Sequence, residues 1–250
     1  MLNFYIVLGA IVGSFLNVLI HRLPINQSII SPSSHCIYCK VSILWYYNIP
    51  ILSFLFLKGS SSCCNKPISI RYLFVEIISV LLWVWCYYYV FNINDQILFL
   101  IFSSSLLVIM FTDYNHFYIP IELNIFMFLS AFILFIYSDS NIWNHFFSMF
   151  ILSTFILLLM LSANFFLKKD SMGYGDIILI GIIGFCLGLY QALVIIFFAC
   201  IFSIIHWIIL KIKTNNKAIM LPFGSALSLS TILVYIMNKT LQIDTSFLLT

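Results

Sequence analysis

Long apolar runs, separated by short polar loops, leave this chain little choice of fold. Most of the runs hold about the 20 residues that a helix needs to cross the hydrocarbon core of a bilayer. Because 63% of the 250 residues are hydrophobic and only 8% are charged, a soluble globule could not bury so much apolar surface. We therefore predict an all-α polytopic membrane protein with about eight transmembrane helices. The runs lie at residues 2–20, 71–91, 96–112, 119–137, 143–167, 177–190, 192–210 and 218–238.

The stretch 177–210 decides the topology. It is too long for one ordinary span, and only Gly188 and Gln191 interrupt it. If it forms two helices, ten of the eleven Lys and Arg residues fall on one side of the membrane, and only Lys239 falls on the other. Basic residues gather on the cytoplasmic side of membrane proteins. We therefore expect two helices here, with both chain termini outside.

Composition divides the chain into three segments. Residues 1–20 read as a retained first transmembrane helix, because the positive charges follow this run, whereas in a signal peptide they precede it. Residues 21–70 form a small polar segment on the cytoplasmic side, and residues 71–250 form the membrane core. The inside loops account for the net charge of +3, so we expect no nucleic-acid partner.

Four cysteines mark the cytoplasmic segment. Cys36 and Cys39 have the C-x-x-C spacing that presents two thiolates to one Zn²⁺ ion. Cys63 and Cys64 are adjacent instead, and adjacent cysteines rarely aim both sulfurs at one metal. A structural zinc site and a set of reduced thiols in a cytoplasmic loop are both open interpretations of this pattern.

Polar residues near the inner ends of the first two spans have two explanations. Gly13 and Asn17 fit close helix packing, in which a small residue allows approach and an amide bonds across the contact. Glu76 lies about one turn inside the second span, where a carboxylate needs a partner and is commonly functional. Arg22 and Arg71 are the candidate partners.

Two aspartates are candidates for acid–base catalysis. Asp113 ends the third span in FTDYNHFYIP, Asp176 starts the sixth in GYGD, and the predicted topology puts both at the cytoplasmic border. Two carboxylates that lie close together titrate as a pair, so one can take a proton from water while the other donates to a scissile carbonyl. A plain helix cap at Asp176 and a proton or ion path are the rival interpretations.

Taken in order, these motifs resemble the type IV prepilin peptidases, the leader peptidases of type 4 pili and type II secretion. The resemblance covers nearly the whole chain. Its motifs are GSFLNVLIHRLP at 13–24, the cysteine segment at 36–64, PISIRYLFVE at 67–76, FTDYNHFYIP at 111–120, GYGD at 173–176 and LPFGSALSL at 221–229.

The resemblance implies a multi-pass aspartyl protease of the bacterial inner membrane, with residues 71–250 as the protease core. Asp113 and Asp176 would be the catalytic pair, with Gly173, Tyr174 and Gly175 shaping the active site. Such enzymes need no cofactor to cleave the short basic leader from type IV prepilins or pseudopilins. Many members then N-methylate the new N-terminal residue with S-adenosylmethionine.

For the first cytoplasmic segment, the resemblance implies methyl transfer and a zinc site at Cys36, Cys39, Cys63 and Cys64. The residues assigned to a substrate or methyl-transfer region are Gly13, Asn17, Arg22 and Glu76. The family commonly has two C-x-x-C pairs, but here Ser61 stands where the partner of Cys64 is expected. A peptidase without methylation is therefore one alternative. An acid-coupled transporter is another, although the inverted repeats expected of a transporter are not visible in the sequence.

Overall fold

The computed structural model describes residues 1–136, 142–168, 172–214 and 220–241, and within these ranges it contains helices and no β-strand. The α-helices are α1 (Leu2–Arg22), α2 (Leu52–Phe56), α3 (Ile70–Tyr89), α4 (Ile93–His116), α5 (Ile121–Ile136), α6 (Ile142–Leu167), α7 (Tyr174–Leu187), α8 (Leu189–Thr214) and α9 (Phe223–Thr240).

Each predicted apolar run coincides with one of the longer helices, so the all-α membrane class is confirmed. In the described part of the chain, five helices are long and apolar enough to cross a bilayer, whereas α5 and α7 are apolar but shorter. The five candidate spans are Leu2–Ile25, Ile70–Tyr89, Ile93–His116, Ile142–Phe166 and Leu189–Lys213. The count of eight spans and the outside position of both termini stay predictions.

The long apolar stretch 177–210 is divided at a single glycine. Helix α7 ends at Leu187, Gly188 has φ 83°, and α8 begins at Leu189. Glycine adopts this backbone angle without the steric cost that a side chain would meet. The predicted pair of helices is therefore present, and the reversal depends on Gly188.

The chain forms two compact units, Met1–Val108 and Ile109–Thr250. In the first unit, α1 and α3 pack closely along their lengths. A Cβ built on Gly13 would lie 2.8 Å from Cα of Glu76, and the Ser79 hydroxyl donates a 2.8 Å hydrogen bond to the carbonyl of Gly9. Gly13 therefore serves the helix contact directly, as small residues do in membrane proteins.

In the second unit, α7 is the central helix. Residues from Asp176 to Cys186 are buried at all but one position, and α7 packs against α5, α6, α8 and α9. A Cβ on Gly184 would lie 2.5 Å from Cδ1 of Leu152, so α6 approaches α7 closely at that point. A helix that is apolar on every side belongs in the interior, and its buried position places Asp176 inside the unit.

We expect Gly13→Ala to destabilise the first unit by about 1–3 kcal/mol, because the added methyl group forces α1 and α3 apart. Thermal unfolding of the purified chain in detergent measures the effect. Val7→Ala is the control, because Val7 lies on the same helix with 56% of its surface exposed. Equal stability of the Gly13→Ala variant and the wild type would contradict the close contact.

Candidate active site

Asp113 lies in the last turn of α4, and its carboxylate binds the N-terminus of α9. The side chain is only 5% exposed. Its Oδ2 accepts a 2.6 Å hydrogen bond from the backbone N–H of Ser225, and the carboxylate also accepts from the N–H of Gly224. Because the first N–H groups of a helix lack partners within the helix and carry partial positive charge, they stabilise the carboxylate there.

Gly224 makes this approach possible. A Cβ at this position would lie 3.2 Å from both Cγ and Oδ2 of Asp113, and 2.7 Å from Cδ1 of Ile119. Any side chain at residue 224 would therefore push against both the carboxylate and the segment between α4 and α5. The absence of a side chain lets Asp113 reach the helix end.

Asp176 is the third residue of α7, where it caps the start of its own helix. Gly173 is the N-cap residue, and its backbone N–H donates to the Asp176 carboxylate. The residue is 9% exposed, and its Oδ1 is buried without a hydrogen-bond partner in the described part of the chain. The capping interpretation is therefore correct for one part of the carboxylate, and Oδ1 takes no part in the cap.

The second unit brings the two aspartates together. Their carboxylates lie close enough to interact electrostatically. Ile119 lies against the first turns of both α7 and α9. A Cβ built on Gly175 in α7 would lie 3.2 Å from Cβ of Ile119, and Gly224 in α9 approaches Cδ1 of Ile119. Two buried carboxyl groups that interact electrostatically titrate as a pair, and such a pair can act as a general acid and a general base on water.

The residues of the GYGD motif have different roles. Gly173 has φ −79° and ψ 145°, an extended conformation open to any residue, so an unusual backbone angle does not explain this glycine. Gly175 lies in the helix and gives clearance to Ile119. Tyr174 is 70% exposed at the start of α7. The expectation that these residues shape the site stays a prediction.

Sequence reasoning overlooked the partners of Asp113, although the motif that holds them was visible. LPFGSALSL begins α9, with Pro222 at the N-cap and Gly224 and Ser225 in the first turn. A proline followed closely by a glycine at a helix start is a signal for an exposed set of N–H donors. Only the fold, however, identifies Asp113, 112 residues away, as their acceptor.

The cysteine segment forms a cluster in the first unit. All four Sγ atoms lie within 4.8 Å of one another. The sulfurs of Cys36 and Cys64 are 3.8 Å apart, and those of Cys39 and Cys63 are 2.9 Å apart. Four thiolates around one tetrahedral zinc would lie about 3.8 Å from each other. Adjacent cysteines rarely aim both sulfurs at one metal, but Cys63 and Cys64 do bring theirs to the other two, so the cluster could hold a metal ion.

Two similar loops build this cluster. In the first loop, the N–H of Cys36 donates to the carbonyl of Val41 at 2.9 Å, and the N–H of Lys40 donates to the carbonyl of Cys36 at 2.9 Å. Lys40 has φ 60°. The turn therefore closes tightly after Cys39, which brings its sulfur back beside that of Cys36.

The second loop repeats this pattern with Ser61 in the place of Cys36. The N–H of Ser61 donates to the carbonyl of Lys66 at 2.8 Å, and the N–H of Asn65 donates to the carbonyl of Ser61 at 3.0 Å. Ser61 Oγ lies 3.0 Å from Sγ of Cys64. The serine thus stands at the first ligand position, and Cys63 supplies the sulfur that this position lacks.

The thiols of the cluster differ in pKa. Backbone N–H groups, above all that of Cys39, lower the pKa of the Cys36 thiol to about 6. The hydrogen bond with Cys39 is the main cause that raises the pKa of Cys63 to about 12. Because neighbouring thiolates repel each other, the group cannot ionise fully without a cation.

The residues assigned to methyl transfer lie in the first unit, but the expected ion pair of Glu76 is wrong. Glu76 Oε2 accepts a 2.7 Å hydrogen bond from the backbone N–H of Ile51. Arg22 donates instead to three backbone carbonyls between residues 28 and 32, and Nε of Arg71 has no hydrogen-bond partner among the described residues. Asn17, Arg22 and Glu76 line one cavity, whereas Gly13 lies in the contact between α1 and α3.

Fold and site together define a helical membrane protein with a buried pair of aspartates, the arrangement of a membrane aspartyl hydrolase. Comparison with known proteins is consistent with this class. Residues 7–90 match the Bacterial Peptidase A24 N-terminal domain, and residues 100–208 match the Type IV leader peptidase family. No solved structure matches the chain.

Relatives cover the full length. A prepilin leader peptidase/N-methyltransferase of Bacillus subtilis is 30% identical over 249 residues, which are 96% of each chain. The protein of that name from Legionella pneumophila is 29% identical over 90% of this chain and 88% of its own. The protein of that name from Myxococcus xanthus is 39% identical over 49% of this chain, and the match spans only 36% of its own length. The chain belongs to the prepilin leader peptidase/N-methyltransferase family.

We expect Gly224→Ala to destabilise the second unit by about 1–3 kcal/mol, because the new methyl group meets Asp113 and Ile119. Thermal unfolding in detergent measures the change. Adding Ile119→Val should recover part of the loss, because it removes the Cδ1 atom that the methyl group meets. Gly173→Ala is the matched control, since a Cβ there would meet only Asp176 Oδ2, at 3.6 Å. Equal effects of the two glycine substitutions would contradict this account.

Proposed function

We propose that this chain cleaves the short basic leader from type IV prepilins or pseudopilins and then methylates the new N-terminal amine. The observation that carries the proposal is the placement of Asp113 and Asp176, both buried and each bound to a helix N-terminus. The family of the chain and the names of its relatives support it.

Cleavage follows from the two carboxyl groups. The ionised aspartate takes a proton from a water molecule, and the oxygen of that water attacks the scissile carbonyl carbon. The protonated aspartate donates its proton to the carbonyl oxygen. The tetrahedral intermediate collapses when the aspartate that took the proton from water donates it to the leaving nitrogen and the other aspartate takes a proton back from a hydroxyl of the intermediate. The C–N bond breaks, which releases the leader and a pilin with a free N-terminal amine. No metal takes part in these steps.

The hydrogen bonds of the site support a division of roles between the two aspartates. Asp113 accepts from the N–H groups of both Gly224 and Ser225, and such bonds favour the charged form of a carboxyl group. Among the described residues, Asp176 accepts from Gly173, and its Oδ1 has no hydrogen-bond partner, so this oxygen is the one that would carry a proton. Asp113 is therefore the general base, and Asp176 is the general acid.

In the membrane, the eight apolar helices α1 and α3 to α9 all cross, the shorter ones included, and both termini lie outside. Helix α7 has 14 residues. It is therefore about 21 Å long, which is shorter than the roughly 30 Å hydrocarbon core. The C-terminal end of α7, at Gly188, lies near the outer surface. Asp176, at the other end of this short helix, therefore lies below the cytoplasmic surface of the inner membrane. A prepilin anchored by its apolar helix, with its basic leader inside, presents its scissile bond at that border.

Methyl transfer belongs to the first unit. S-adenosylmethionine supplies an electrophilic methyl group on a sulfonium when it is bound. The cavity lined by Asn17, Arg22 and Glu76 fits a small cationic ligand, because the Glu76 carboxylate lies in its wall while the Arg22 guanidinium is engaged by backbone carbonyls. These residues are the ones that would hold the reacting groups.

The cysteine cluster binds one structural zinc ion. The donor set of four thiolates at one point is the one that structural zinc sites use. A zinc ion there would fix residues 36–64 as one folded piece, because the two loops contribute to a single tetrahedron. The repeated loop geometry predicts that the sulfur of Cys63 can be replaced by one at position 61.

We expect Asp113→Asn and Asp176→Asn each to lower leader cleavage by at least about 100-fold, because each removes one partner of the acid–base pair. Co-expression with a prepilin, with cleavage read as a gel shift, measures this loss. Asp95→Asn is the control, since Asp95 lies in the first turn of the same helix α4 as Asp113. Full processing by both single variants, at wild-type membrane levels, would refute the assignment.

We expect the purified chain to hold about one zinc ion. Cys63→Ser should lose it, and the double variant Ser61→Cys with Cys63→Ser should regain it, because the second loop then has regular C-x-x-C spacing. Cys200→Ser is the control, since this exposed cysteine lies in α8. Zinc content should fall as the pH is lowered, because the thiolates must be deprotonated to bind. Absence of zinc from the wild type, or from the double variant, would contradict the proposal.

A further inference from the structure

A cavity of about 270 Å³ lies within the first unit, between the inner ends of α1 and α3 and the cysteine segment. Its wall includes Ser14, Asn17, Glu76 and the rings of Tyr47 and Phe54. The volume is near the lower limit for small-ligand pockets. Aromatic walls with a few convergent polar groups are typical of such sites.

Glu76 brings a carboxylate to this cavity. The residue is 8% exposed, and its hydrogen bonds in the described part of the chain come from two neutral donors, the N–H of Ile51 and the hydroxyl of Ser14. A buried carboxylate without a cation is unusual, because burial costs free energy unless the charge is paired. The carboxylate has acceptor capacity left for a charged donor.

The backbone at Ile51 is strained to hold this arrangement. Ile51 has φ 62° and ψ −53°, a conformation that β-branched residues rarely adopt. In this conformation its N–H points at Glu76 Oε2, 2.7 Å away. Strained residues of this kind are found where a site must be held in one geometry.

Asn17 adds a second acceptor with no partner. It is 2% exposed, and its Nδ2 donates a 3.0 Å hydrogen bond to the carbonyl of Tyr72. Because a carbonyl can only accept, this bond fixes the orientation of the amide. The atom left over is Oδ1, which is buried and has no partner among the described residues. A buried acceptor in this state can take a donor from a ligand or from a water molecule.

We propose that Glu76 and Asn17 Oδ1 form a binding site for a primary ammonium group. The carboxylate and the amide oxygen accept its N–H bonds, and the rings of Tyr47 and Phe54 provide electron-rich faces for a cation. The assignment rests on the proposed methyl transfer, which involves two such groups. One is the N-terminal α-amine of the cleaved pilin, and the other is the amino group of S-adenosylmethionine.

The test uses the full-length chain in detergent and two matched pairs of ligands in equilibrium dialysis. One pair is a short peptide that begins with Phe, with a free or an acetylated N-terminus. The other is S-adenosylmethionine and its analogue without the amino group. We expect the ammonium-bearing member of one pair to bind at least about tenfold more tightly than its neutral partner. The pair that discriminates identifies the source of the group.

Glu76→Gln should abolish this preference, because it keeps an acceptor for Ile51 but removes the charge. Glu122→Gln is the matched control, since Glu122 is an exposed acid at the start of α5. The wild-type comparison needs no variant, so a failure of Glu76→Gln to fold does not end the test. Equal binding within both ligand pairs, or a preference that survives Glu76→Gln, would overturn the proposal.

The mass of the mature pilin N-terminus separates this inference from the proposed function. If the wild-type chain leaves the pilin without a methyl group, the proposed methyl transfer fails, whatever the dialysis shows. If the pilin is methylated and the ammonium preference is absent, only the site at Glu76 and Asn17 is wrong.

Discussion

The hydrogen bonds between the Asp113 carboxylate and the first turn of α9 are the interaction on which the geometry of the second unit depends. They join residues 112 positions apart, and they supply donors to a charge that the apolar interior could not otherwise tolerate. They also fix where α9 begins relative to α4. Because Ile119 contacts both Gly224 and Gly175, the same arrangement positions the start of α7 and therefore Asp176.

In the first unit, a polar segment is ordered next to two apolar helices. The cysteine loops do this with paired turns, and the second loop keeps its shape although serine replaces the first cysteine. Nearby, the N-terminus of α2 turns toward Glu76 through the positive φ of Ile51. The buried carboxylate thus connects the polar segment to α3.

Much of this could be read from the sequence, because membrane insertion imposes strong local rules. Apolar runs of sufficient length must be helical, since every backbone polar group needs a partner within the segment. The division of 177–210 into two helices followed from length and charge, but the predicted runs 177–190 and 192–210 put the break near Gln191, and the structure has it at Gly188. The two aspartates were identifiable because acids are costly at the border of an apolar run. The partner of Glu76 was not predictable, since it is a backbone N–H of Ile51 whose position depends on a rare angle.

The sequence by itself determined the class of fold and the approximate positions of the helices, and it made the two aspartates candidates, because hydropathy and charge act residue by residue along the chain. The tertiary structure alone decided which groups meet. It brought Gly224 and Ser225 to Asp113, and it turned Cys63 toward the other sulfurs. These contacts join residues far apart in sequence, so they depend on packing and on backbone angles that no local pattern encodes.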